Sequence, residues 1–128
     1  MREGVVAVVQ RSERVLVIER GASVPFPGVW CPISGKVEPG ETQRDAVLRE
    51  VREEAGLEVE PLCKVWECRS EGGDFWLHWW TARYLGGELR LDAREVAAAR
   101  WLDARDFGAL APTFAVDRHF FAEVLPSL

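Results

Sequence analysis

Short apolar runs separated by polar turns open the chain. The runs 5–9 and 15–18 have the length of buried strands, and the polar segment 11–14 lies between them. This arrangement predicts a β-hairpin at the start of the domain. The segment 21–28 holds two prolines and two glycines, so we expect an irregular loop there, leading into Trp30.

Further strands are predicted in the second half of the chain. The segment 75–85 alternates between two faces, as a strand does. One face carries Phe75, Leu77, Trp79, Thr81 and Arg83, and the other carries Trp76, His78, Trp80, Ala82 and Tyr84. Apolar residues in 57–60, 62–68 and 99–102 indicate other strands, and Pro61 is expected to separate the first two. His78 is interpreted as a partly buried histidine rather than a ligand.

Two helices are predicted from periodicity and end signals. Thr42 with Asp45 resembles a capping box and Gly56 is a typical C-terminal stop, so a helix should run from about Thr42 to about Ala55. After Thr113, a second set of residues recurs at helical spacing before Pro126: Val116, Phe120, Phe121, Val124 and Leu125. Strands interleaved with two helices indicate an α/β fold with a mixed sheet between helical layers.

The first helix carries an acidic face beside its apolar one. At about 100° per residue, Glu50, Glu53 and Glu54 share one sector. Their mutual repulsion costs roughly 0.2–0.5 kcal/mol per pair, and carboxylates near a helix C-terminus oppose its dipole. A divalent cation such as Mg²⁺ or Mn²⁺ removes both penalties, because carboxylate oxygens are its preferred ligands. A solvated charged face is the alternative interpretation.

The residues around this face favour the functional interpretation. Gly35 is followed after five residues by Glu41, and after seven more by Arg49-Glu50-Val51. Glu53-Glu54 and Gly56-Leu57 complete the pattern, each after one further residue. The stretch resembles the Nudix hydrolase signature at every fixed position. The preceding residues depart from many relatives, since Ile33 and Ser34 stand where those have Pro and Gly.

The resemblance covers nearly the whole chain and implies a Nudix-type α/β/α sandwich. It implies a short, MutT-like enzyme that hydrolyses a nucleoside diphosphate linked to a group X, by water attack on a pyrophosphate phosphorus with Mg²⁺ or Mn²⁺. Glu50 and Glu54 are then the leading metal ligands, joined by Glu53 and the Gly35 carbonyl. Arg49 pairs with Glu41 to orient the carboxylates, with a weak surface ion pair as the alternative.

The general base and the substrate contacts stay open at this point. Relatives take the base from the motif helix or from a loop outside it, so Glu53 and Glu95 are both candidates, with Asp92 behind Glu95. Exposed loop acids are the alternative interpretation of these last two. Trp30 is the tryptophan proposed to stack on a nucleobase. Lys36 is a candidate phosphate contact or an ordinary solvated lysine.

Composition limits the partners and the compartment. A chain of 128 residues predicts a single domain, residues 1–128, and its net charge of −5 argues against a long nucleic acid as ligand. The three cysteines lack metal-binding spacing and indicate a reducing cytoplasm. No leader or membrane span is expected, and a homodimer is left open.

Two functions from different classes fit this pattern. The first is a metal-dependent nucleotide pyrophosphohydrolase. The second is a non-catalytic Nudix-fold module that binds or senses a nucleotide or an ADP-ribose-like ligand. Non-catalytic relatives commonly lose motif acids, whereas this chain keeps Glu41, Glu50, Glu53 and Glu54, which favours the enzyme. The sequence does not identify the nucleotide.

Overall fold

A computed structural model describes all residues from Met1 to Leu128. Its sheet has seven strands: β1 (Arg2–Arg11), β2 (Arg14–Arg20), β3 (Trp30–Cys31), β4 (Ile33–Lys36), β5 (Glu58–Arg69), β6 (Phe75–Gly86) and β7 (Val96–Asp103). The main order is β3-β2-β1-β6-β5, with β4 also on β1 and β7 also on β2. Only β1 and β6 run parallel, so the sheet is mixed, as predicted.

The first two strands form a hairpin only at the turn. They pair at Gln10 with Val15 and at Arg11 with Arg14, and then separate. Beyond that point β1 pairs with β4 and β6, while β2 pairs with β3 and β7. The split leaves β4, which carries Gly35, directly beside β1.

Helix α1 spans Gln43–Ala55 and has the predicted ends. The Thr42 hydroxyl accepts a hydrogen bond from the Asp45 N–H at 3.1 Å, and Gly56 adopts a left-handed φ of 73°. These end signals fix which residues of the helix face the sheet.

The C-terminal helical run is less regular than the periodicity suggests. It begins as α2, Ala115–His119, continues with π-type hydrogen bonding over Phe120–Val124, and ends in a 3₁₀ turn, Leu125–Ser127, that contains Pro126. A further 3₁₀ segment spans Ala104–Ala109. No helix of the structure combines the length and the apolar character needed to cross a membrane.

The helices cover opposite faces of the sheet. Val47, Val51 and Ala55 of α1 pack into one buried cluster, together with β1 residues such as Val5. On the other face, Trp79 of β6 stacks on Phe120 with ring centroids 4.3 Å apart. The alternation predicted for β6 is confirmed, and the architecture is the expected α/β/α sandwich.

The prediction that Pro61 separates two strands is wrong. Strand β5 runs unbroken from Glu58 to Arg69, and Pro61 lies opposite Ala82 of β6. The register shifts between Pro61 and Cys63. Proline is tolerated at this position because β5 is an edge strand with a local irregularity, where a missing N–H disrupts little of the ladder.

Candidate active site

Four of the predicted acids, Glu50, Glu53, Glu54 and Glu95, face one cavity of about 540 Å³. It opens between the end of α1, the 21–28 loop, the turn before β7, the β5–β6 turn and α2. The cavity lining includes most of the site residues predicted from the sequence: Gly35, Lys36, Arg49, Glu50, Glu53, Glu54 and Glu95. Glu41 and Trp30 are not part of this lining.

Arg49 connects the acids of the motif. Its Nε and Nη2 donate to the two carboxylate oxygens of Glu41 at 2.8 and 2.9 Å. Its Nη1 donates to Glu50 at 2.7 Å and to Glu53 at 3.2 Å, and its Nη2 also donates to the Lys36 carbonyl at 2.8 Å. The hydrogen bonds from Arg49 lower the pKa of Glu41. One guanidinium therefore fixes the positions of three carboxylates and the end of β4.

Gly35 leaves room for the carboxylate of Glu50. A Cβ atom placed on Gly35 would lie 2.1 Å from Cδ of Glu50, so any other residue at this position displaces that side chain. Glu50 is 9% exposed. Burial, only partly offset by Arg49, raises its pKa to about 6. The close approach brings the glutamate against the backbone of β4.

Glu54 is the most perturbed acid of the site. It is 8% exposed, and its Oε2 has no hydrogen-bond partner. Burial is the main cause that raises its pKa to about 9, and repulsion from Glu50 and Glu95 adds to it. A buried acid without a hydrogen-bond partner lowers the free energy of unfolding, so Glu54 destabilises the metal-free protein.

The donor set fits a hard divalent cation. Glu54 has an orphaned oxygen, Glu50 lies against the Gly35 backbone, and Glu53 is on the same helix face. Carboxylate and carbonyl oxygens are the ligands that Mg²⁺ and Mn²⁺ prefer. No three acidic, histidine or cysteine side chains already form a complete metal-binding group. Ion binding would therefore require the carboxylates to come closer together.

The two outer acids differ in their placement. Glu95 faces the cavity, and its negative charge contributes to the raised pKa of Glu54. Asp92 instead accepts hydrogen bonds from the backbone N–H and Nε of Arg94 at 3.1 and 3.2 Å, which lowers its pKa. Asp92 also accepts backbone bonds from Glu95 and Val96. It shapes the turn that presents Glu95.

Trp30 and His78 lie outside the cavity lining. The Trp30 ring packs against the cluster on the α2 side, and the Arg100 guanidinium lies over it at 4.8 Å. This geometry does not support the hypothesis of a base contact by Trp30. His78 is buried, with Nε2 3.0 Å from Glu3, as expected for a histidine with a packing role.

Sequence reasoning missed the opposite end of the cavity. Phe26 and Phe114 meet edge to face there, with centroids 5.2 Å apart. Asp117 of α2 is 4% exposed, and its pKa is raised to about 8, first by burial and then by Glu71. A signal for Asp117 exists in the sequence: it stands three and four residues before Phe120 and Phe121, on the face that the helix buries.

Arg20 was also missed, although it is central to the charge balance. It lines the cavity, and its positive charge lowers the pKa values of both Glu54 and Asp117, against the larger effect of burial. Its Nε donates to the Pro25 carbonyl at 2.6 Å. Arg20 therefore lies between two ends of the cavity. Glu50, Glu53 and Glu54 form its acidic end, and Phe26 and Phe114 form its aromatic end.

Comparison with known proteins identifies the family. A model of the NUDIX domain matches residues 1–124. The CTP pyrophosphohydrolase of Escherichia coli is 44% identical over 59 residues, which is 46% of this chain and 44% of that protein. The NAD-capped RNA hydrolase NudC of Deinococcus radiodurans is 33% identical over 102 residues, 80% of this chain and 36% of that protein. The matched segments thus span less than half of each curated relative.

A solved structure agrees with this assignment. The MutT NUDIX hydrolase of Burkholderia pseudomallei superimposes with a TM-score of 0.79 at 29% identity, covering 96% of this chain and 97% of that one. Family match, fold and the arrangement of the motif acids all agree. The chain belongs to the Nudix hydrolase family.

Proposed function

We propose that this protein hydrolyses the pyrophosphate bond of a small nucleotide, a nucleoside diphosphate linked to a group X, with Mg²⁺ or Mn²⁺ as cofactor. The observation that carries the proposal is the set of Arg49, Glu50 and Glu54 around one cavity, with an orphaned carboxylate oxygen. The CTP and NAD-capped RNA activities in the relatives' names support a nucleotide pyrophosphate bond as the target.

The proposal assigns the acidic end to the metal and the pyrophosphate. Glu50, Glu53, Glu54 and the Gly35 carbonyl would hold the ion. When bound, it neutralises phosphate charge and lowers the pKa of the attacking water. Arg49 and Glu41 orient these carboxylates. Lys36, which lines the same end, offers its ammonium group to a phosphate.

Glu95 is our first choice for the group that accepts the water proton. It faces the cavity beside Glu54 and is carried by the turn before β7 rather than by α1. A base must come within hydrogen-bond reach of the water, and a separate element can meet that need without giving up a metal ligand. Glu53 is the alternative, because it shares the helix face and is held only by Arg49.

The aromatic end would hold the nucleobase. A base stacked on an aromatic ring gains roughly 1–3 kcal/mol, and Phe26 and Phe114 both face the cavity. With its pKa at about 8, Asp117 is mostly protonated at neutral pH. A neutral carboxyl group donates one hydrogen bond and accepts another, which suits the polar edge of a base. This contact takes the place of the one hypothesised for Trp30.

In this proposal residues 1–128 act as one domain in the cytoplasm on a small substrate rather than on a long nucleic acid. A retained set of acids argues against the alternative of a binding module without turnover. The deciding experiment measures phosphate and pyrophosphate release from a nucleotide panel headed by CTP and NAD, with Mg²⁺ or Mn²⁺. The Glu50→Gln variant should be inactive, and Glu58→Gln, from an exposed pair with Arg52, should be fully active. If the wild-type protein hydrolysed no substrate of the panel, the proposal would be overturned.

A further inference from the structure

The 21–28 loop is bound to the peptide that carries Glu95. The Gly21 N–H donates to the Glu95 carbonyl at 2.8 Å, and the Ser23 hydroxyl donates to the Arg94 carbonyl. We propose that this loop is a strap that positions Glu95 according to what occupies the aromatic end of the cavity. Phe26 contacts the occupant, and Gly21 and Ser23 are positioning residues for Glu95. The inference rests on the role proposed for Glu95.

The attachment at Gly21 depends on a close backbone approach. A Cβ atom on Gly21 would lie 3.1 Å from the carbonyl carbon of Glu95 and 3.2 Å from its oxygen. Such contacts are tighter than side chains normally accept, so a larger residue would push the two segments apart. The Glu95 side chain itself is exposed. Gly21 and Ser23 therefore set the position of the backbone from which this side chain extends.

The other end of the strap reaches across the cavity. Phe26 has a φ of 58°, in the left-handed region that non-glycine residues rarely adopt. Its ring meets Phe114 edge to face, and a Cβ atom on Gly72 would lie 3.7 Å from its Cζ. Phe26 is still 46% exposed. A conformation of this kind persists only where surrounding contacts hold it, and an occupant of the cavity adds such a contact.

Hydrogen bonds close the base of the strap and hold Pro25 against Arg20. Arg20 and Val29 close the loop through an N–H to carbonyl bond of 2.9 Å, and the Gly28 N–H donates to the Arg20 carbonyl at 2.8 Å. The Arg20 side chain donates to the Pro25 carbonyl from inside the loop. Two prolines reduce the number of backbone conformations further. We therefore expect a shift of Phe26 to be transmitted along the loop to Gly21.

The first experiment measures amide hydrogen exchange at Gly21 in the free protein. Ser23→Ala and Phe26→Ala should each accelerate exchange of this amide by at least about fivefold, because each removes one attachment of the strap. Ser127→Ala is the matched control, since that hydroxyl also donates to a backbone carbonyl, that of Val124 at 2.7 Å. An unchanged amide exchange rate at Gly21 in Phe26→Ala would refute the proposed strap, whatever the kinetics show.

The second experiment is a double-variant cycle with Glu95→Gln. At saturating nucleotide and metal, Ser23→Ala should lower kcat about tenfold with KM changed by less than about twofold, and it should have no further effect in the Glu95→Gln background. Equal losses in both backgrounds would show that Ser23 acts independently of Glu95, and would refute the link. If the wild-type protein turns over no nucleotide, the proposed function fails. The exchange measurement still tests whether the loop connects Phe26 to Gly21.

Discussion

Arg49 donates hydrogen bonds to both carboxylate oxygens of Glu41, while its Nη1 donates to Glu50. The pair thus joins the turn before α1 to two acids that line the cavity, Glu50 and Glu53. Glu41 does not line the cavity itself, so it acts on the site through Arg49 and through the Glu38 N–H, from which it accepts a hydrogen bond at 3.0 Å. A planar guanidinium can make these contacts at the same time, whereas the ammonium group of a lysine acts as a single point charge.

Arg49→Lys should lower turnover and Mn²⁺ affinity by about 10–100-fold, because the carboxylates lose their common orientation. Calorimetric Mn²⁺ titration and steady-state kinetics measure the two effects. Arg52→Lys, in an exposed pair with Glu58, serves as the matched control and should change neither by more than about twofold. Turnover and Mn²⁺ affinity within about twofold of wild type in Arg49→Lys would mean that Arg49 contributes its charge alone.

Gly35→Ala should lower turnover by about 10²-fold, because the new methyl group occupies the position of the Glu50 carboxylate and displaces it. A solved structure of the variant should show Glu50 moved away from β4. Gly108→Ala is the control, since a Cβ atom there meets nothing within 4 Å. Wild-type kinetics in Gly35→Ala would show that the position of Glu50 is not important for the reaction.

Glu54→Gln should abolish most turnover while stabilising the metal-free protein as pH rises. The folded pKa of about 9 lies above the ordinary value of 4.5. The stability that the protonated acid contributes is therefore complete below about pH 4.5 and is lost as pH rises through 9. Glutamine does not titrate, so its advantage in thermal melts should grow between pH 6 and 9.5 in the presence of chelator.

Glu58→Gln is the control for these melts, because Glu58 is exposed and its pKa is lowered by Arg52. Its difference from wild type should stay constant over the same pH range. A Glu54→Gln variant less stable than wild type at pH 9.5 would identify the carboxylate as a structural group.

Glu95→Gln should lower kcat by at least about tenfold and leave metal affinity nearly unchanged, since a general base typically contributes roughly 10²–10⁴-fold. Loss of a metal ligand would weaken metal binding as well. Kinetics at saturating metal, run beside Glu53→Gln, separate the two candidates. A nearly normal rate in Glu95→Gln with a crippled Glu53→Gln would place the base on α1.

Asp117→Asn should keep KM within a few-fold of wild type at pH 7, whereas Asp117→Ala should raise it at least about tenfold, because only the amide retains a hydrogen-bond donor. The Asp117 pKa of about 8 adds a pH dependence: the wild-type KM should rise above pH 8 as the proton is lost, while that of Asp117→Asn stays flat. Asp106→Asn, at an exposed position of the 3₁₀ segment, is the control. Equal KM values for the Asn and Ala variants would remove Asp117 from substrate recognition.

The acidic end of the site was predictable because its geometry is local. Helical periodicity alone places Glu50, Glu53 and Glu54 on one face, and the end signals at Thr42 and Gly56 fix where that face begins and stops. The sheet alternation of 75–85 similarly assigned Trp79 and Trp80 to opposite cores. Both patterns repeat within a few residues, so a single sequence contains them.

The aromatic end was not predictable, since it forms from segments far apart in the chain. Phe26, Phe114 and Asp117 meet only after β2, α2 and the sheet between them have assembled. The same holds for the early separation of β1 and β2, because strand partners are chosen by long-range packing. Trp30 stands next to the motif in the sequence, but this proximity does not bring its ring into the cavity.

Strand β5 forms an outer border of the sheet, and Pro61 lies within it. An unpaired row of backbone donors and acceptors is a template on which another chain can add a strand and start a fibril. A proline supplies no donor, and the register shifts at Pro61/Cys63 and Lys64/Trp66 bend the row out of line. Pro61 therefore makes this border a poorer template for strand addition by another chain.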